Sequence, residues 1–268
     1  MPVLTAALEI HPCFGGAGHG RYGRIHLPVA PRCNLQCAFC DRRYDCANES
    51  RPGVTSAIIT PEEAVRRTRR ALRRDPRIRV AGIAGPGDPL ANRETFDTLR
   101  LLRAHFPELI LCTSTNGLLL EARLEELLAA RLDTLTVTIN AATQETAQRI
   151  YTRVQWEGAG LPPGPGARLL LERQRRGLLL CAGAGILVKV NTVLIPGVNG
   201  HEIGAIARLA AQAGAAVMNI MPLIPCGQMG HLPPPTPAQL AQARREAGEW
   251  LPQFTGCRQC RADACGVV

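Results

Sequence analysis

Aromatic side chains are scarce in this sequence, and lysine is almost absent. Phenylalanine, tryptophan and tyrosine make up 4% of the 268 residues, and Lys189 is the one lysine among 31 basic residues. Proteins that bind single-stranded nucleic acid stack its bases on aromatic rings. The arginines are also spread along helix-like segments such as residues 66–74. Despite a net charge of +9, we therefore expect no nucleic-acid partner.

Long apolar runs are missing as well. No segment approaches the roughly 20 apolar residues that span a bilayer, and residues 1–11 lack the basic start and apolar stretch of a secretory signal. We expect a cytoplasmic protein with no membrane contact. The length suits one domain, which we divide into an N-terminal extension (1–23), a central α/β unit (24–225) and a C-terminal tail (226–268).

Cysteine, by contrast, is abundant, with 11 residues. Clustered cysteines in a reducing compartment are more often metal ligands or catalytic groups than disulfides. Cys33, Cys37 and Cys40 form a CxxxCxxC motif that places three thiolates on one loop. Structural zinc sites use four ligands, and ferredoxin clusters use four cysteines at other spacings. Three ligands can hold a four-iron cluster and leave its fourth iron open.

Strand-like and helix-like segments alternate about six times, which predicts a parallel α/β sheet with right-handed crossovers. Six such units form an incomplete barrel or an open sheet. We predict a Cys-rich loop at 31–60, a Gly/Pro-rich loop at 157–166 and no strand in the tail. The predicted strands are 24–29, 78–84, 109–113, 135–139, 186–195 and 217–221. The predicted helices are 60–74, 93–105, 121–130, 144–154, 168–176, 201–213 and 238–249.

Polar residues and a glycine-containing turn lie at or near the ends of the predicted strands. Active sites of such sheets lie at the carboxyl ends of the strands. Taken singly, a loop cap is the commoner role for each, and Gly85–Asp88 is also good turn chemistry. A lone lysine within a strand suggests a special role. The candidates for a shared ligand pocket are Gly85, Gly87, Asp88, Ser114, Asn116, Thr138, Asn140, Lys189 and Asn191.

The cysteine motif, placed just after the first predicted strand, resembles that of the radical SAM superfamily. The resemblance implies that the open iron binds the amino and carboxylate groups of S-adenosylmethionine (SAM), whose reductive cleavage yields a 5′-deoxyadenosyl radical. Phe39 matches an aromatic residue that packs near the adenine. The 85–88 segment occupies the place of a motif that holds the SAM amino group. A zinc knuckle or a chance cluster of cysteines is the alternative interpretation of the motif.

Further segments resemble the NifB family, the radical SAM enzymes of nitrogenase cofactor biosynthesis. The resemblance runs from residue 11 to residue 266 and implies a partial (βα)6 TIM-like barrel of the radical SAM type with Cys-rich extensions. Two departures are Cys265, where we expect a small apolar residue, and residues 141–144, which lack an expected Asp-Pro. The matching segments are 11–14, 24–31, 45–56, 84–92, 189–199, 219–225 (which contains Met221, a candidate cofactor contact) and 257–264.

The NifB resemblance implies three [4Fe–4S] clusters. One binds SAM, and two are substrates that are fused into an eight-iron core with a SAM-derived carbide and an added sulfur. The ligands implied for one substrate cluster are Cys13, His26 and Cys46; those implied for the other are Cys257 and Cys260, with Cys112 shared or nearby. Glu49 and Arg51 are implied in proton handling or positioning, with a structural ion pair as the alternative.

The implied partners are SAM, iron–sulfur cluster donor proteins and a reducing electron donor. Many relatives carry a further domain that resembles cofactor carriers, and we expect this protein to lack it. Product delivery would then need a separate carrier or docking on a nitrogenase scaffold protein. Two other functions stay open from the sequence. One is a peptide-modifying radical SAM maturase with auxiliary clusters, and the other is a zinc or iron–sulfur protein that binds nucleic acid.

Overall fold

The computed structural model describes residues 7–267. The outer ends of the predicted extensions, residues 1–6 and 268, lie outside the described residues. The strands are β1 (Gly23–His26), β2 (Leu35–Cys37), β3 (Ile78–Ile83), β4 (Ile110–Thr115), β5 (Thr134–Thr138), β6 (Tyr151–Trp156), β7 (Ala159–Leu161), β8 (Leu187–Leu194), β9 (Val217–Pro222) and β10 (Cys265–Val267). The helices are α1 (Pro61–Arg74), α2 (Arg93–His105), α3 (Leu120–Ala129), α4 (Gln144–Ile150), α5 (Pro163–Gly183), α6 (Ile203–Gln212) and α7 (Pro237–Gly248).

Six parallel strands form the main sheet in the order β1-β3-β4-β5-β8-β9, and β10 adds to the edge beside β1. The sheet curls into a half-barrel with helices on its outer face, which confirms the predicted partial (βα)6 fold. Aliphatic residues of the strands and helices form the largest core cluster between these two layers. None of the helices within residues 7–267 combines the length and hydrophobicity that a transmembrane segment requires.

The inner face of the sheet is polar. Successive side chains of a strand point to opposite faces, so polar residues that alternate with aliphatic ones share the inner face. All eight residues of β8 are buried. Val188 and Val190 pack in the helix-facing core, whereas Lys189 and Asn191 project to the opposite face. The register pairs Thr136 with Lys189 across β5 and β8. Neighbouring strands therefore present polar side chains side by side within the half-barrel.

Helix α1 begins as its sequence predicts. The Thr60 side chain accepts a hydrogen bond from the Glu63 amide, and Pro61 occupies the first helical position. Both features are typical of a helix start, because the first amides of a helix have no partner within it. Two acidic residues lie in the first turn and two arginines in the last. These charges interact favourably with the helix dipole at each end and stabilise the helix.

The structure corrects the prediction around residues 144–166. Helix α4 ends at Ile150 rather than at 154. The hairpin of β6 and β7 replaces the end of that predicted helix and the first part of the predicted Gly/Pro-rich loop. Glu157 and Gly158 join the two strands with φ values of 48° and 80°, which suit a tight hairpin turn. The β-branched and aromatic residues of 151–156 favour a strand. The predicted helix 168–176 is only the middle of α5.

Two further strands were not predicted. Residues 35–37, assigned to the Cys-rich loop, form β2 and pair antiparallel with β6. Residues 265–267 form β10, which pairs antiparallel with β1. A short strand paired along an edge covers otherwise unpaired backbone groups. This pairing also holds the preceding tail segment, with Cys257 and Cys260, against the half-barrel.

The loop after β3 approaches the segment before the cysteine motif very closely. The Gly87 amide donates to the Ala30 carbonyl, 2.6 Å away, and the Asp88 amide donates to the Arg32 carbonyl at 2.9 Å. A Cβ atom on Gly87 would lie 2.2 Å from the Arg32 carbonyl oxygen. Only glycine therefore allows the two segments to pack at this distance.

We expect Gly87→Ala to lower the free energy of unfolding by about 1–3 kcal/mol, since the backbone must move to admit the methyl group. Gly183→Ala is the matched control, because a Cβ there meets nothing within 4 Å. That control should be neutral or stabilising by up to about 1 kcal/mol. Urea unfolding of the two metal-free variants measures both effects, and equal midpoints would contradict the close approach.

Candidate functional site

The three cysteines of the CxxxCxxC motif line one cavity. Cys37 ends β2, Cys33 precedes that strand, and the Cys40 amide donates to the Cys37 carbonyl at 3.0 Å, which closes the turn between them. The opposite wall is formed by residues at the carboxyl ends of β3, β4 and β5 or in the segments just after them. Its polar members are Asp88, Ser114, Thr115, Asn116 and Thr138.

Two asparagine side chains lie beside these thiols. Asn48 Nδ2 is 3.9 Å from Cys37 Sγ and 3.7 Å from Cys46 Sγ. Asn116 Nδ2 is 3.9 Å from Cys33 Sγ. Amide N–H groups at this range donate weak hydrogen bonds to sulfur, and such bonds stabilise a thiolate or a metal-bound thiolate.

Burial is the main electrostatic influence on the motif. It raises the pKa of the Cys33 thiol to about 11 and that of Cys37 well above its ordinary value. The nearby Arg42 guanidinium acts in the opposite direction on the pKa values of these two thiols and of Cys40. Without metal the thiols therefore stay protonated at neutral pH, and metal binding must release their protons.

Asp88 is one of two carboxyl groups that line the first cavity, the other being Glu49. Its oxygens accept hydrogen bonds from the Asn116 amide at 2.7 Å, the Thr115 hydroxyl at 2.9 Å and the Leu90 amide at 3.0 Å. Desolvation nevertheless raises the pKa of Asp88 to about 6. A carboxylate in this position can accept a hydrogen bond from an ammonium group in the cavity.

A second cavity adjoins the first. Four thiols and two histidines line it: Cys13, Cys112, Cys257, Cys260, His11 and His26. Its cationic lining residues are Arg24, Lys189 and Arg258. The side chains of Glu49 and Ser114 line both cavities, so the two spaces meet at these residues.

Glu49 accepts a hydrogen bond from Asn191 Nδ2 at 3.0 Å and a longer one from the Thr138 hydroxyl at 3.5 Å. Burial raises the pKa of its carboxyl, while Lys189 and the hydrogen-bond donors hold it down. A carboxyl with a raised pKa between two cavities is suited to exchange a proton with a bound molecule.

His26 has the protonation state of a metal ligand. Its Nδ1–H donates to the Arg261 carbonyl at 3.0 Å, which leaves the Nε2 lone pair free. Burial lowers the pKa of His26 to about 4, so the ring is neutral at pH 7. A neutral imidazole whose other nitrogen binds a backbone carbonyl is the usual arrangement of a ligating histidine.

The thiols are spread over the linings of the two cavities and do not surround the site of one metal ion. Within residues 7–267, no three His, Cys, Asp or Glu side chains converge on the position of a single metal ion. The first cavity offers three thiols on one wall, sulfur-directed amides, and open volume that extends to the polar groups opposite. This donor set fits a cubane cluster held by three cysteines, with a polar ligand on its fourth iron.

Comparison with known proteins agrees with this geometry. Residues 27–210 match the family model of the radical SAM superfamily. The FeMo cofactor biosynthesis protein NifB of Klebsiella pneumoniae is 44% identical over 274 residues, covering 100% of this chain and 58% of the relative. NifB of Methanocaldococcus infernus is 43% identical over 270 residues, covering 100% of this chain and 89% of the relative. The chain belongs to the NifB family of the radical SAM superfamily.

This NifB-family chain spans 58% of the length of the Klebsiella relative and 54% of that from Azotobacter vinelandii. Two solved structures share its fold. Streptococcus suis SuiB aligns with a TM-score of 0.62 and 14% identity, covering 89% of this chain and 51% of SuiB. A radical SAM methyltransferase from Sphaerobacter thermophilus aligns at 0.55 and 18% identity, covering 90% of this chain and 70% of that one.

The structure divides the ligands predicted for the substrate clusters between the two cavities. Cys112, Cys257 and Cys260 line the second cavity together. Of the other predicted set, Cys13 and His26 line the second cavity, whereas Cys46 lines the first. Cys46 therefore does not share a cavity lining with the two other predicted ligands of its set. The ligand assignments of this NifB-family chain stay predictions.

Several predicted site residues line neither cavity. Phe39 and Met221 are buried in the core cluster behind the cysteine motif. Asn140 is fully buried and donates to Asn48 Oδ1 at 3.1 Å, so it orients the asparagine beside Cys37. Gly85 adjoins the lining residue Pro86. Arg51 is exposed, and within the described part of the chain it forms no ion pair with Glu49.

Sequence reasoning missed Asn48 and Arg24. Arg24 is buried on β1 and its Nη2 donates to Cys260 Sγ. The signal for Arg24 was strand alternation, because residues two apart share a face and His26 was already a candidate. Asn48 had no such signal, since it lies in an irregular turn after Cys46.

The raised pKa of Asp88 predicts a pH dependence of stability. Its value of about 6 in the fold exceeds the roughly 3.9 of an unfolded chain. Between these values the folded protein binds more protons, so its stability falls as pH rises from about 4 to 6. The wild type should lose about 2–3 kcal/mol over this range relative to Asp88→Asn.

Urea unfolding of metal-free protein at several pH values measures this difference. Asp97→Asn, on α2, controls for the loss of one carboxylate. Parallel pH curves for wild type and Asp88→Asn would contradict the raised pKa.

Proposed function

We propose that this chain is the catalytic core of a nitrogenase cofactor maturase. It fuses two [4Fe–4S] substrate clusters, with insertion of a SAM-derived carbide and one sulfur, into the eight-iron cofactor precursor. The observation that supports this most is the pair of adjoining buried cavities. One has the three-cysteine motif, the other has four thiols and a neutral histidine, and both contact Glu49.

The resident cluster would be held by Cys33, Cys37 and Cys40. With SAM bound, this cluster would supply the one-electron reduction that cleaves SAM into methionine and a 5′-deoxyadenosyl radical, with the electron coming from the reducing partner. The chain's own polar groups would bind SAM from the opposite wall. Asp88 is placed to accept a hydrogen bond from the SAM ammonium, and Asn116 and Thr138 offer further polar contacts beside it.

The second cavity would bind substrate. Its thiols and His26 offer fewer ligands than two complete four-iron clusters require, which suits cargo that must rearrange and leave. A neutral imidazole is exchanged more readily than a thiolate, and His26 supplies one here. A SAM-derived methyl group in this region would become a carbide by losing one hydrogen atom to the 5′-deoxyadenosyl radical and its remaining hydrogens as protons.

Glu49 is the candidate proton acceptor for that step. It lies where the cavities meet, and its raised pKa brings proton uptake nearer to neutral pH. The hydrogen bond from Asn191 orients its carboxyl. The proposal includes as partners a reducing electron donor, iron–sulfur cluster donor proteins, and a cofactor carrier or nitrogenase scaffold protein.

Metal analysis of anaerobically reconstituted protein tests the proposal, with electron paramagnetic resonance before and after SAM. We expect about twelve irons per chain, the sum of three four-iron clusters, and a signal that SAM perturbs. About four irons with a SAM response would indicate a simpler radical SAM enzyme. Zinc without a SAM response would overturn the proposal.

Two substitutions in the same assay separate the cluster sites. Cys40→Ala should abolish 5′-deoxyadenosine formation while about eight irons remain, because it breaks only the SAM site. His26→Ala should lose iron and cofactor product but keep SAM cleavage. Full iron content in His26→Ala would remove His26 from the ligand set, and persisting SAM cleavage in Cys40→Ala would do the same for Cys40.

Glu49→Gln tests the proton acceptor. The amide keeps the size of the side chain and an oxygen that can accept from Asn191, but it cannot take up a proton. We expect cofactor product to fall by about 100-fold or more, as for loss of a general base, with iron content and SAM binding retained. Asn191→Ala should have a smaller effect, since it only frees the carboxyl to rotate. Unchanged product in Glu49→Gln would exclude this role.

A further inference from the structure

The second cavity holds more buried positive charge than its carboxylates can balance. Arg24 and Lys189 are only 4% and 5% exposed. Neither takes part in any ion pair formed within residues 7–267. Of the residues that the structure describes, Glu49 alone brings a carboxylate to this lining. Buried charges are normally paired, because an isolated one is strongly disfavoured.

Hydrogen-bond donors in this cavity also lack acceptors. Among the described residues, Arg24 Nε and His11 Nε2 are buried without a partner. His11 Nδ1 accepts the Cys13 amide at 3.1 Å, so the ring proton of the neutral imidazole is on Nε2. Lys189 Nζ donates to the Cys13 carbonyl at 3.1 Å, and an ammonium group has two further N–H donors.

The chemistry around these donors favours sulfur as the acceptor. The Arg24 guanidinium already donates to Cys260 Sγ through Nη2. Four thiols line the same cavity. Lys189 lies over the Phe14 ring, with 5.2 Å from Nζ to the centroid, and over the Phe254 ring at 5.7 Å. These rings fix the ammonium group in an apolar setting, where its attraction to an anion is strong.

We propose that His11, Arg24 and Lys189 form an anion-binding site in the second cavity, and that its ligand is an anionic sulfur. The proposal rests on the proposed function for the identity of the anion. Two sources supply this chemistry. One is a sulfide of a bound substrate cluster, and the other is a free inorganic sulfur anion that provides the added sulfur. The site would hold either one beside the thiols.

Titration calorimetry of metal-free, reduced protein with thiosulfate, at constant ionic strength in chloride, tests the free anion. We expect saturable binding that Arg24→Met weakens by at least about tenfold, the effect of losing one charge-assisted hydrogen bond. Arg24→Lys should keep most of the affinity. Arg208→Met, which removes an exposed arginine from α6, should bind like wild type. His11→Phe keeps a ring beside Phe14 and should also weaken binding.

Redox titration of reconstituted protein in a Cys40→Ala background tests the cluster sulfide. Hydrogen bonds to cluster sulfur help to set the reduction potential. With a cluster sulfide as ligand, metal-free protein does not bind thiosulfate, and Arg24→Met lowers the cluster midpoint potential relative to Arg24→Lys.

Absence of thiosulfate binding together with unshifted potentials would overturn the proposal, as would absence of both binding and iron uptake. Thiosulfate binding by a protein that takes up only about four irons would instead support the anion site while the proposed function fails.

Discussion

The register of the parallel strands is the constraint on which the whole site depends. Adjacent strands are hydrogen-bonded so that Ser114 pairs with Thr136, and Thr138 pairs with Asn191. A slip of one residue would turn these polar side chains toward the helices and the aliphatic residues toward the cavities. The apolar layer between sheet and helices excludes that alternative, because it would bury the polar groups without partners. The hydrophobic core therefore holds the polar face in place.

Burial gives the two cavities their chemical character. In metal-free protein the buried thiols favour their neutral form, and burial raises the pKa of Cys112 to about 12. Metal binding here is therefore coupled to the release of protons. Arg42 beside the first group of thiols and Arg24 beside Cys260 counteract burial from opposite ends of the site. The structure thus places a fixed positive charge next to thiols of each cavity, and this charge favours their anionic form.

The sequence predicted most of the barrel because local signals and the global fold agree there. Residues 93–105 were predicted and observed as one helix, and the cap at Thr60 was visible from residue types alone. The hairpin after α4 was missed because the helical pattern from residue 144 continues past Ile150, and only pairing with β2 decides the boundary. β10 is three residues long, too short for any periodic pattern to reveal it.

The candidate site was predicted unevenly for a similar reason. The cysteine motif is local, so its spacing alone indicates one cavity. Whether Cys46 faces the first or the second cavity depends on the path of an irregular loop, which no periodicity describes. The buried positive charge of the second cavity comes from Arg24 and Lys189, which are far apart in the sequence. Only the folded chain shows that no carboxylate ion pair accompanies them within the region described.

The tail segment before β10 forms one wall of the second cavity, and it is attached differently from the inner strands. β10 is bonded to the half-barrel by three residue pairs with β1, whereas each inner strand has neighbours on both sides. Edge segments with few contacts open locally at a smaller free-energy cost than the core that supports them. The segment that supplies Cys257 and Cys260 comes directly before this edge strand. The same segment is bonded to the half-barrel on both sides, because the Phe254 amide donates to the Met218 carbonyl at 2.8 Å and the His26 amide donates to the Ala264 carbonyl at 2.7 Å. Opening this wall would therefore break these bonds and the β1–β10 pairing, but none of the pairings between the six parallel strands.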